Sequence, residues 1–259
     1  MTLRAVLNST TDENILNDAS YELADANLEL PLARASCEKA LRQLDELTSK
    51  ITLSTITEDD LQHVVHLAAT WDTMAWILYR QGDFSGAEEY AIAAWSLNPR
   101  PESGLHLGEI YQAQHRKDEA VHLYRLAVVS GNGEGIGVEE AQSRLKALGL
   151  PAMAHDDAQL RQELMDGSKV KFAAPDYPKG MATVYVLLSP GSKVDGIQVT
   201  DGSHALNSVA SLLPKARFNV PFPMNSSARI LRRGQLTCSD VLKECMFAIA
   251  FPEYTHKTP

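Results

Sequence analysis

Several groups of residues have types that could carry chemistry. Glycines 131, 133, 135 and 137 in "SGNGEGIGVEEA" run into a helical pattern, where backbone N–H groups can cradle a phosphate. A nucleotide loop of that kind follows a buried strand and carries a Lys or a fixed glycine spacing. This one follows a helical segment, contains no Lys, and reads as a loop. His63 and His66 are three apart, and His115 and His122 seven apart. Metal sites need three or four converging ligands with partners behind them, and neither pair has such company, so surface or groove histidines are the reading. Asp201, Ser203 and His204 supply the residue types of a hydrolytic triad, but a triad is assembled in space around a strained nucleophile elbow. A turn followed by a helix cap explains "DGSH" better. No catalytic residue, metal or other cofactor is expected.

Cys238 and Cys245 bracket six residues between two strand-like segments, where a cross-strand disulfide is geometrically possible; a reduced pair is the alternative. Cys37 stands alone in a helical segment and reads as core. Arg229, Arg232 and Arg233 form a basic strip in "RILRRG". On a strand, Arg229 and Arg233 share one face and Arg232 points to the other. The strip could meet an acidic partner, although a solvated strand is the simpler reading. Finally, "ATWDTMAWILYRQGDFSGAEEYAIAAWSLNP" holds all three tryptophans among acidic residues. That mixture suits an aromatic-walled catalytic pocket as well as a helical hairpin that needs bulky residues to close its core.

Periodicity decides for the hairpin. Trp71, Met74, Ala75 and Leu78, then Ala87, Tyr90, Ala91 and Ala94, recur at helical spacing on either side of "RQGDFSGAEE". Gly82 ends the first helix, Asp83 or Ser85 caps the second, and Pro99 stops it. Asp72 is expected to cap or to face solvent, and Glu88 and Glu89 to lie outside. The unit repeats in "GLHLGEIYQAQHRKDEAVHLYRLAVVSGN": Ala87 and Ala120 are 33 apart, as are Ala94 and Ala127. A weaker copy carries Tyr21, Leu23, Ala24, Ala33 and Ala40, and residues 50–62 break the period. The domain reading is therefore residues 1–150 as helical repeats (14–48, 68–100 and 101–133, with a capping helix over 138–149). Residues 151–174 form a linker with a short helix, and 175–259 a small α+β unit. In that unit Met181–Leu188 and Lys193–Thr200 flank a Pro-Gly turn, "SHALNSVASLLPKA" forms a helix capped by Ser203, and a final strand pair follows, giving the order β-β-α-β-β.

Composition bounds the possibilities. Residues 1–150 hold 12 Lys and Arg against 23 Asp and Glu, whereas 151–259 hold 12 against 10, so the two parts have different surfaces. The acidic first part argues against nucleic acid binding. No segment approaches the roughly 18 apolar residues of a transmembrane helix. The N-terminus lacks a basic region followed by an apolar core, so it is not a signal peptide, which at face value means cytoplasm. Met1 could equally begin a fragment, and the compartment stays open.

The alanine positions at period 33 resemble tetratricopeptide repeats, in which small residues let paired helices approach. Such a stack presents a concave groove that takes a peptide or a partner helix. Tyr79, His106, Glu109 and Gln112 are expected to line it. Gly191, Leu206, Phe218 and Pro221, in "GSKVDGIQV", "DGSHAL" and "ARFNVPFP", resemble the TonB C-terminal domain over roughly 175–253, and "RRGQLTCSDVLKEC" departs from it. That resemblance implies that an extended peptide adds beside a terminal strand. Trp71-Asp72-Thr73 with Trp76, and "ILRRGQLTCS", are similar to the tail of large bacterial proteins with an upstream transglutaminase-like domain. Those proteins are mostly exported, which implies the periplasm and the disulfide. Together these imply an α+β, two-domain, non-enzymatic module that binds a protein or peptide partner. The alternatives are a structural region that positions an upstream catalytic domain, and an enzyme with a site between the halves.

Overall fold

The computed structural model describes residues 3–131, 134–151 and 157–251. Helices come first: α1 (Leu3–Ser9), α2 (Glu13–Asp25), α3 (Leu30–Ser49), α4 (Glu58–Arg80), α5 (Phe84–Leu97), α6 (Pro101–Ala113), α7 (Lys117–Ser130), α8 (Ile136–Ala147) and α9 (Ala158–Gly167). Strands follow: β1 (Lys169–Phe172), β2 (Met181–Ser189), β3 (Lys193–Gly202), the single-turn α10 (Asn207–Ala210), β4 (Ile230–Ser239) and β5 (Glu244–Ala250). The chain is thus an α+β protein in two parts, helical and then sheet-forming. Two compact units divide it: residues up to Leu44 join His66–Met165, and Asp45–Val65 joins Asp166 onward.

In the helical unit local chemistry sets the helix ends. Asp12 accepts hydrogen bonds from the Asn14 and Ile15 amides to start α2, and Asp83 accepts from Gly86 to start α5. Glu58, Asp59 and Asp60 in the first turn of α4 offset its positive N-terminal dipole. Pro101 opens α6, where no N–H is missed. The alanines of the 33-residue period, Ala87, Ala94, Ala120 and Ala127, are all buried, and so are Ala33 and Ala40 of α3. Between α6 and α7 the approach is closer than a side chain allows. A Cβ on Gly108 would stand 2.5 Å from the Tyr124 ring, and one on Gly104 3.0 Å from the Ala127 side chain.

The sheet unit holds one antiparallel sheet in the order β1-β5-β4-β2-β3. Two sequential hairpins, β2–β3 and β4–β5, join through β2 and β4, and Val184, Val186, Leu188, Leu236 and Phe247 bury on its core side. Three expectations change here. β1 was not anticipated, because four residues directly after a helix are too short for a two-residue period to show. The single helix expected over "SHALNSVASLLPKA" is a 3-10 turn at His204–Leu206, then α10, then a second 3-10 turn at Leu213–Lys215, and Ser203 makes no side-chain cap bond. Residues 50–62, which break the repeat, lie in the segment 45–65 that belongs to the sheet unit. There the Asp45 carboxylate accepts from the Ser227 amide and hydroxyl at 3.1 and 3.0 Å, and Arg229 donates to the Ile51 carbonyl at 2.8 Å.

Candidate functional site

A cleft of about 140 Å³ opens on the helical unit, lined by Tyr79, Glu109, Gln112, Ala113 and Arg144. Its walls come from α4, α6 and α8: the first helices of two successive hairpins, and the helix after them. Tyr79 and Gln112 stand 33 residues apart, so the repeat period itself brings equivalent positions to one place. Glu109 is buried, and its Oε1 accepts from Arg144 Nε at 2.7 Å and Nη2 at 2.5 Å. A buried carboxylate tolerates such a position only when paired in this way. The Tyr124 hydroxyl, fully buried between α6 and α7, donates to Gln112 Oε1 at 3.0 Å, so the protein itself engages the oxygen side of that amide. Burial first, and the Glu109 charge second, push both the Tyr79 and Tyr124 phenols up, which keeps them protonated donors. The lining therefore offers a hydroxyl, an amide nitrogen and a guanidinium beside a carboxylate that is already paired. Such a surface suits hydrogen-bond acceptors.

Of the four groove residues expected from sequence, Tyr79, Glu109 and Gln112 meet at this cleft and His106 does not. His106 is 3% exposed and sits in the core behind it. Its Nδ1 lies 2.9 Å from Asp72 Oδ2, and its ring stacks on Trp76 at 4.3 Å and 18°. Asp72, expected at a cap or in solvent, is thus turned toward the imidazole of a residue 34 positions on. Trp71 and Trp76 pack inside α4, as the periodicity requires. Arg144 was missed, although α8 continues the period and Arg144 stands 32 residues beyond Gln112.

The remaining candidates separate. Arg232 is buried in the sheet unit, where loss of water pushes its guanidinium down to about 9. Arg233 is exposed, and Arg229 lies 3.4 Å from Asp195 just before β4. The three arginines consequently do not form one solvent-facing strip: the pleat turns Arg232 inward and Asp195 engages Arg229. Cys238 and Cys245 are opposite one another on β4 and β5 and are joined by a disulfide. Cys37 is fully buried, and burial pushes its thiol far up. Asp201 is the last residue but one of β3, while His204 lies exposed in the following 3-10 turn. His122 Nε2 lies 2.7 Å from Glu163, and His66 Nδ1 lies 3.9 Å from Glu13. Among the described residues no three His, Cys, Asp or Glu side chains are placed to hold a metal ion. Nor is any helix among them long and apolar enough to cross a membrane. Residues 132–133 of the glycine-rich stretch lie outside the described residues.

Compared with protein-family models, curated proteins and solved structures, the chain gives no match.

Proposed function

We propose that the chain is a non-enzymatic binding module whose helical hairpins act as tetratricopeptide-type repeats and take an extended partner polypeptide in the α4–α6–α8 cleft. The observation that carries this reading is the cleft itself: Tyr79, Gln112 and Arg144 come from the alternate helices α4, α6 and α8, with Tyr79 and Gln112 33 residues apart. An extended chain has a carbonyl at every residue, and the hydroxyl, amide and guanidinium donors of the lining complement it. The sheet unit is read as TonB-like. Its terminal strands β1 and β3 are where a second extended segment would add. The disulfide favours an oxidising compartment for the whole chain.

The test is selection of peptides from a random library on the intact protein, followed by Arg144→Ala and Gln112→Ala variants. Selected peptides should bind at least tenfold more weakly to either variant and shift the NMR signals of Tyr79 and Gln112. Equal binding by wild type and both variants, or shifts confined to other residues, would refute the reading.

A further inference from the structure

A stack of aromatic rings connects the partly buried Asp72–His106 pair to the cleft. The His106 ring lies on Trp76 at 4.3 Å, and Trp76 lies on Tyr79 at 4.8 Å and 12°. Tyr79 is a wall of the cleft. On α6, His106 is one turn before Glu109, which also lines the cleft. One ion pair thus ties α4 to α6 just behind the two side chains that flank the opening. We propose that this pair couples the protonation of His106 to the shape of the cleft, with the Trp76–Tyr79 stack as the mechanical link. The coupling stands whatever the cleft binds; only its use in partner release rests on the function proposed above.

The surroundings of His106 are mostly acidic. Asp72 faces it from α4, and Glu102 and Glu109 come from its own helix. Tyr21 of α2 lies at 6.0 Å, and that phenol in turn feels Asp25 and Glu140. The cations nearby are Arg144, held on Glu109, and Arg80, whose guanidinium lies 4.6 Å from the Trp76 ring and which pairs with Asp25. Burial by itself opposes the imidazolium; the charge and hydrogen bond of Asp72, then Glu109 and Glu102, outweigh it and hold His106 above its ordinary value. A raised value fixes the sign. The contribution of the imidazolium is complete below about pH 6.5, the unfolded value, and is lost as pH rises through the folded one. When the proton leaves, the Asp72 carboxylate loses its countercharge. Its Oδ1 is already buried without a hydrogen bond among the described residues. The neutral tautomer with Nδ1–H keeps the hydrogen bond but not the countercharge, so the contact that holds α4 against α6 at this point weakens. The His106 ring stacked on Trp76 becomes neutral in the same step, while the Arg80 guanidinium stays over the indole.

The experiment is an NMR pH titration of the full chain carrying 13C-labelled histidine and tyrosine rings, with no ligand added. His106 should titrate above the ordinary histidine value, and the Tyr79 ring signals should move with the same midpoint. Asp72→Asn should lower the proton affinity of His106 about tenfold, and His106→Gln should leave Tyr79 flat across the range. If Asp72→Asn does not fold, Trp76→Leu provides the second arm: His106 still titrates while Tyr79 no longer follows. An ordinary His106 midpoint, or Tyr79 signals that ignore it, overturns the proposal. Peptide selection that fails while the titration holds removes the binding function and leaves the coupling intact.

Discussion

Gly108→Ala sets two effects of opposite sign against each other. In an open helix the change would stabilise by about 1 kcal/mol, because alanine has less backbone freedom to lose. Here the new Cβ would meet Tyr124 Cε1 at 2.5 Å and Cδ1 at 2.7 Å, with the Ala120 carbonyl at 3.3 Å. Carbon atoms rest at about 3.5–4.0 Å, so the ring must retreat by roughly 1 Å. It has nowhere to go: Tyr124 is fully buried and its hydroxyl is held by Gln112. Overpacking of this sort costs about 1–3 kcal/mol, and a broken Tyr124–Gln112 bond adds about 1 kcal/mol. The net is a destabilisation of roughly 1–3 kcal/mol. For a unit of this size that lowers Tm by about 3–10 °C. Differential scanning calorimetry measures it, with Gly167→Ala as control, since a Cβ there meets nothing within 4 Å. The loss should shrink in a Tyr124→Leu background, where a smaller side chain makes room. A Gly108→Ala protein as stable as wild type, or more so, would refute the close-packing argument.

Other consequences can be checked on the sheet unit. Reducing the Cys238–Cys245 bond, which closes a loop of separation 7, should cost about 2–3 kcal/mol by loop entropy; thermal melts with and without dithiothreitol read it, and coincident melts would count against it. Asp45→Ala removes the acceptor for Ser226 and Ser227 and should lower the denaturant midpoint of the same unit by an amount worth about 1–2 kcal/mol. Slower amide exchange of Ser227 in that variant than in wild type would contradict the bond.

The sequence exposed whatever was periodic. Ala87, Ala94, Ala120 and Ala127 announced the hairpins because a close helix pair needs a small residue at each crossing. Met181–Leu188 and Lys193–Thr200 were visible because one turn separates two strand-like runs, and the strands extend one and two residues further, to Ser189 and Gly202. Tyr79, Glu109 and Gln112, three of the four residues expected at a groove, lie together at one cleft. His106 escaped because periodicity gives a face and not a depth: one more fraction of a turn carries a side chain from the groove into the core, and Asp72 supplies the charge that holds it there. Arg144 escaped because a single basic residue on an amphipathic helix looks like any solvated one until Glu109 is placed opposite. The role of residues 45–65 was hidden for a different reason. Its partners, Ser227 and Arg229, lie about 180 residues away, and no local pattern encodes a contact at that separation.

That separation sets a timetable for synthesis. Ile51, Leu61 and Val64 are buried in the finished protein, yet they leave the ribosome well before the strands of their own unit exist. At roughly 5–20 residues per second, the 185 residues between Val65 and Ala250 take about 10–40 s to make. Throughout that interval the few apolar side chains of this otherwise polar segment are without their sheet. The segment 45–65 therefore waits for its own unit while residues 66–165, which belong to the other, are made.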